Sequence, residues 1–154
     1  MADRTDRPAG LSYDPYADLA DRYPDWTVGT ADLGGVIPEV LSRSCRVVLL
    51  EASDPPARQR CSLAHAVAHL DLGHAAVLSG FFENREELQA DELAAVRLVP
   101  VDLLGRALGR SRDRAEVAHE LQVDEQTLRV RERMLTRLER RTLRRGVGRV
   151  PLDA

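Results

Sequence analysis

His65 and His69 stand four residues apart in the stretch Arg60-Cys-Ser-Leu-Ala-His-Ala-Val-Ala-His-Leu-Asp-Leu-Gly-His74. On a helix this spacing projects both imidazoles from one face, where they can grip a single metal ion. A helix of that kind needs partner elements, because catalytic zinc takes a third ligand and keeps one position open. The hydrolytic pattern H-E-x-x-H carries Glu directly after its first His, as general base for the water that the metal activates. Here that place is Ala66.

The rest of the chain bounds what can surround such a helix. Its 154 residues, 44% of them hydrophobic, suit one domain, or one domain with a small appendage, that folds without disulfide staples. Aromatics make up 4%, so Leu, Val and Ala fill the core. All 22 basic residues are Arg, which reads as GC-rich coding and not as chemistry. The net charge is -3, yet Arg129 to Arg149 holds nine Arg against Glu132 and Glu139. A basic end on an acidic body suggests an acidic partner or weak DNA contact through Arg129–Arg149, with a solvated amphipathic helix as the plain alternative. The first residues are charged and carry no apolar signal core, and no apolar run approaches the roughly 18 residues of a membrane span. Cys45 and Cys61 form no disulfide framework. The expectation is a cytoplasmic protein with no membrane partner.

Residues 1–12 read as a disordered leader. Asp14-Pro15 opens a short helix to Tyr23, Asp14 suiting the N-cap and Pro15 the first turn. Trp26 to Gly35 alternates and ends in Gly-Gly, as a strand does, and Arg46-Val-Val-Leu-Leu-Glu51 is the clearest strand. From Gln59 onward the pattern is helical. Leu63, Val67, Leu70 and His74 fall on one flank, and Gly73 ends the helix. A loop over Ala75–Phe82 precedes a helix from about Glu83 to Leu98, which Pro100 closes, and Leu103–Leu108 makes a short third helix. Arg112–Leu121, the turn Gln122-Val-Asp124 and a helix Glu125–Arg145 resemble a helix-turn-helix, with Leu128, Met134, Leu135 and Leu138 striping the last helix. No internal repeat is visible.

Glu86-Glu-Leu-Gln-Ala-Asp91 lies on the second of the long helices. Glu87 and Asp91, again four apart, share a face. One carboxylate can then bind the metal while the other holds the N–H of a ligand imidazole and fixes its tautomer. This assigns Glu87 as third ligand beside His65 and His69, with Asp91 behind a histidine.

Two motifs, Leu63-Ala-His-x-x-Ala-His-Leu-Asp-Leu-Gly-His74 and Glu87-x-x-Ala-Asp-x-x-Ala-Ala-x-x-Leu-Val-Pro100, make the chain resemble the ImmA/IrrE family of bacterial and phage metallopeptidases over roughly residues 25–135. The resemblance implies an α+β, zincin-like fold: a small N-terminal sheet, then a mostly helical region with the H-x-x-x-H helix and a C-terminal helix-turn-helix-like bundle. It implies one Zn2+ per chain and cleavage of a partner helix-turn-helix repressor, releasing phage, mobile-element or stress genes, here of actinobacterial or actinophage type. Family members often carry Glu where this chain has Gln89, so the third ligand stays open between Glu87, Glu86 and Asp91. The expected organisation is a leader over 1–12, a zincin-like domain over 13–109, a helix-turn-helix-like region over 110–145 and a tail over 146–154.

Other residues near the motif have plainer readings. His74 lies nine after His65, one short of the third ligand of a metzincin, and reads as a helix C-terminal cation or substrate-side group ahead of a ligand. Cys61, four before His65, reads as a small buried residue ahead of a thiolate ligand. His119 has no partner at metal spacing. Asp124, Glu125 and Gln126 open the supposed recognition helix, and their carboxylates would be repelled by phosphate, so packing or protein docking is the stronger reading there. Ala66 reads as an inactivating exchange in an otherwise complete site, ahead of a natural non-cutting relative or a base supplied by another group such as Glu87. On that reading the chain holds zinc but is nearly inert, since a positioned base contributes roughly 10²- to 10⁴-fold.

Overall fold

The computed structural model describes residues 13–74 and 81–147. Asp14 caps α1 (Pro15–Arg22) by accepting from the N–H groups of Tyr16 and Ala17, with Pro15 at the first helical position. Three short strands follow: β1 (Thr27–Ala31), β2 (Glu39–Ser42) and β3 (Val47–Glu51). β3 is central, parallel to β1 and antiparallel to β2. β1 and β3 coincide with the two strands legible in the sequence. β2 does not: Glu39-Val-Leu-Ser is too short to announce itself and becomes a strand by pairing with β3 in the register Glu39↔Leu50.

α2 (Pro56–Asp71) carries both metal-spaced histidines. It begins three residues before Gln59, because Pro56 is pre-set for the first turn of a helix. The remaining helices are α3 (Phe81–Leu98), α4 (Val101–Arg110), α5 (Arg114–Leu121), α6 (Glu125–Met134) and α7 (Arg137–Val147). The single helix expected over Glu125–Arg145 is thus two. The break follows from a capping box in Thr136-Arg-Leu-Glu139: the Thr136 hydroxyl accepts from the Glu139 N–H, and the Glu139 carboxylate accepts from the Thr136 N–H. The stripe breaks with it. Leu138 is 73% exposed, and Leu143 is the residue of α7 that reaches the core, against Gly105 of α4. His74 likewise does not extend the flank of α2, which ends before it.

The architecture is α+β and zincin-like, with α2 at its centre. One side of α2 packs Leu63, Ala66, Val67 and Leu70 on Val48 and Leu50 of the sheet and Leu19 of α1. The other side packs Cys61 and Ala64 on the helices, in a cluster that takes Ala94 and Leu98 from α3, Leu104 from α4, Leu121 from α5, Leu128 from α6 and Leu143 from α7. Residues on both sides of position 110 therefore share one core. Two buried guanidinium groups tie it together through carbonyl oxygens. Arg60 donates to Leu121, Gln122 and Tyr13, and Arg131 donates to Val99 and to the Glu139 carboxylate. No helix of the described residues is long and apolar enough to cross a membrane. The expected leader lies outside the described residues, as do 75–80 of the expected loop and 148–154 of the tail.

Candidate metal centre

α2 and α3 approach closely because their facing residues are small: Ala64, Ala68, Ala90, Ala94 and Ala95 are all buried. Asp71, at the end of α2, fixes their register by accepting from Arg97 of α3 and Arg22 of α1. Burial opposes its charge, but the hydrogen bonds from Arg22, Tyr23 and Arg97 hold the carboxyl at about 2. The result is a tight triangle. His65 Nε2 lies 2.9 Å from His69 Nε2 and 3.1 Å from Glu87 Oε2, and His69 Nε2 lies 3.2 Å from Glu87 Oε1.

Behind the triangle each imidazole is held by its other nitrogen. Asp91 Oδ1 is 2.9 Å from His65 Nδ1, and His74 Nδ1 is 2.9 Å from His69 Nδ1. His74 reaches His69 through the end of α2. Gly73, in the left-handed region at φ +65°, turns the chain so that its own N–H returns to Leu70 O and the His74 N–H to His69 O. These are the two bonds of a Schellman ending. Arg43 donates to the carbonyls of both His69 and His74 and fastens the turn to the sheet side.

The arrangement turns acceptor atoms of His65 and Glu87 towards one another. Facing a carboxylate, His65 Nδ1 bears the proton, so neutral His65 turns a lone pair from Nε2 towards His69 and Glu87. A proton on one of the three groups, or a cation between them, relieves the opposed acceptors. Burial disfavours charge on His65, yet the Asp91 hydrogen bond and the charges of Glu39, Asp91 and Glu87 raise it above the usual range. Burial, and then the charge of His65, lower His69. The separations also suit a metal. Ligands about 2.0–2.1 Å from a tetrahedral ion stand some 3.3 Å apart, close to the three separations here. His65, His69 and Glu87 are the group among the described residues whose ligand atoms converge in this way.

Residues 32–132 match the IrrE N-terminal-like domain of the M78 peptidases. The chain belongs to this family. No curated protein matches the chain. Membership places the two motifs in a family of zinc-dependent metallopeptidases, and the triangle lies within the matched span.

Not every residue near the motif of this M78 family chain joins the triangle. Glu86, next to Glu87 on α3, is not brought to it. The Cys61 thiol accepts instead from the Asp124 N–H, and burial and the Asp124 charge push it up to about 11, so it stays a thiol. His74 stands behind His69. Ala66 faces the interior, 1% exposed within the sheet-side core.

An open cleft of about 440 Å³ runs from the triangle to the first turn of α6. Glu39, Ser62 and Asp91 line it beside His65 and Glu87, and Asp124, Gln126 and Thr127 line its far end. Asp124 and Gln126, two of the residues that a recognition helix would offer to DNA, thus border the cleft. Glu39 has no motif in the sequence and reaches the site only through the pairing of β2 on β3. Its Oε1 lies 3.8 Å from His65 Nε2. Burial raises its carboxyl, against the pull of the His65 charge and of the Ser62 hydroxyl.

Proposed function

We propose that this chain binds one Zn2+ through His65, His69 and Glu87, with Asp91 orienting His65, and acts on a partner helix-turn-helix repressor as a metalloendopeptidase. The observation that carries the reading is the triangle of three ligand side chains, the two imidazole Nε2 atoms and the Glu87 carboxylate, with contacts of 2.9–3.2 Å, on two helices beside an open cleft. Bound zinc would supply Lewis acidity, acidifying a water and polarising the scissile carbonyl. The protein supplies the rest. Asp91 and His74 fix the ring orientations, and the cleft admits a polypeptide segment. Removal of the repressor would derepress phage, mobile-element or stress genes, an expectation that rests on family resemblance.

Position 66 decides how the reading is tested. If proton transfer depended on that position alone, Ala66 would leave a chain that binds zinc and repressor and cuts neither fast nor completely. Ala66→Glu is then expected to raise zinc-dependent cleavage of a cognate repressor, preferably the product of a neighbouring gene, by roughly 10²-fold or more. The zinc reading is tested separately by metal analysis. About one zinc per chain, lost in His65→Ala, supports it; a metal-free protein after zinc loading overturns it. A non-catalytic regulator is the second reading, favoured by the exposed arginines of α7, which would attract nucleic acid without reading its sequence. Salt-sensitive DNA binding by a chain that takes up no zinc would support it.

A further inference from the structure

α2 lacks a carboxylate at position 66, and β2 brings one beside His65. Glu39 Oε1 is 3.8 Å from His65 Nε2, the nitrogen that His65 turns to His69 and Glu87. Glu39 is outside the group whose ligand atoms converge, so it stands beside the triangle and not in it. Ser62 lines the same cleft, and its hydroxyl favours the charged form of Glu39. Ser62 and Ala66 are four apart on α2, which puts their Cβ atoms about 5–6 Å apart on one face. Glu39 and Ser62 line one cleft, and position 66 is one helical turn from Ser62.

The delivery is firm. The Glu39 side chain is 16% exposed. Its strand is paired along β3, and Pro38 O accepts from the Glu51 N–H. The turn that enters β2 is pinned by the Glu51 carboxylate, which accepts from the N–H groups of Leu33 and Gly35. Glu39 still borders the cleft, together with Glu87 and Asp91. Glu87 cannot fill the same role, since both its oxygens face the histidine nitrogens.

We infer that Glu39 supplies the proton-transfer carboxylate that position 66 lacks, so that the base of this peptidase comes from the edge strand and not from the zinc helix. The inference rests on the peptidase reading above. In the step, a water oxygen bonds to the scissile carbonyl carbon while Glu39 takes one of its protons. Glu39 then gives that proton to the leaving nitrogen as the C–N bond breaks, and the second proton leaves when the new carboxylic acid ionises. No redox partner is required.

The test uses the full chain loaded with zinc, as wild type, Glu39→Gln, Glu39→Ala and the double variant Glu39→Gln/Ala66→Glu. Three quantities are read: zinc content, acetohydroxamate affinity by calorimetry, and repressor cleavage. A hydroxamate on the metal donates a hydrogen bond to the neighbouring base, so both Glu39 variants should keep zinc and bind acetohydroxamate about 10-fold more weakly. Cleavage should fall roughly 10²- to 10⁴-fold, and the double variant should recover much of both. Glu39 variants that match wild type in acetohydroxamate binding overturn the inference. So does loss of zinc in folded Glu39→Gln, which would make Glu39 a ligand. Glu39→Ala keeps the test open should the amide disturb β2. A wild-type chain that takes up no zinc defeats the peptidase reading itself, an outcome distinct from zinc uptake that ignores Glu39.

Discussion

Replacing Asp91 by Ala separates holding the metal from holding the fold. Asp91 Oδ1 sits 2.9 Å from His65 Nδ1, and its side chain is 45% exposed. Carboxylates that orient a ligand histidine are worth roughly 10- to 100-fold in metal affinity. The exposure of Asp91 lets water screen the pair and compete for the ring N–H, which places Asp91→Ala near the lower bound, at about 10-fold or 1.4 kcal/mol. Asp91→Asn keeps an acceptor but no charge and should lose about half of that. Without metal the same exposure predicts a change in stability within about 0.5 kcal/mol. With saturating zinc, stabilisation follows the logarithm of free zinc over Kd, so the variant should recover about 1.4 kcal/mol less, or roughly 3–5 °C in Tm for a chain of this size. The assay is a chelator-competition titration at pH 7.5, with thermal unfolding of apo and zinc-loaded protein. Unchanged zinc affinity in Asp91→Ala would refute the assignment. An apo protein destabilised as much as the zinc-loaded one would show that the residue serves packing and not the metal.

Three further outcomes follow from the geometry. Arg60→Met should destabilise by about 3 kcal/mol in urea unfolding, because it strands the carbonyls of Leu121, Gln122 and Tyr13 that the buried guanidinium satisfies; a loss under 1 kcal/mol would contradict the joint described. Asp71, held at about 2, is charged in the folded state below the pH at which the unfolded chain takes up its proton. Its contribution, about 1 kcal/mol after screening, should be complete above about pH 4 and vanish as pH falls towards 2, and Asp71→Asn should flatten that part of the stability–pH curve. Gly73→Ala should cost about 1 kcal/mol for the left-handed backbone and weaken zinc binding several-fold through the displaced His74, whereas His74→Phe should affect zinc alone. Wild-type zinc affinity in both variants would show that His74 does not hold His69.

Much of the site was legible because helical periodicity is local. The i, i+4 spacings of His65 with His69 and of Glu87 with Asp91 follow from 3.6 residues per turn, whatever surrounds the helices. The strands β1 and β3 and the cap at Asp14 were legible for the same reason: pattern and cap chemistry act within a few residues. The capping box at Thr136 and Glu139 was equally available and signals the α6–α7 break, but the apolar stripe across it favoured one long helix.

What periodicity cannot supply is contact between elements. His74 lies five residues from His69, off the helical face, and meets it only because Gly73 reverses the chain. Glu39 has no neighbour in sequence to mark it; the pairing of β2 with β3 carries it to His65. The first turn of α6 resembles a DNA-reading element as a sequence and borders the cleft as a structure. Sequence by itself determined which side chains share a helix face, since backbone geometry repeats every turn. Tertiary structure decided which faces meet, because sheet register, chain reversal and the burial of small residues between helices are set by the whole core at once.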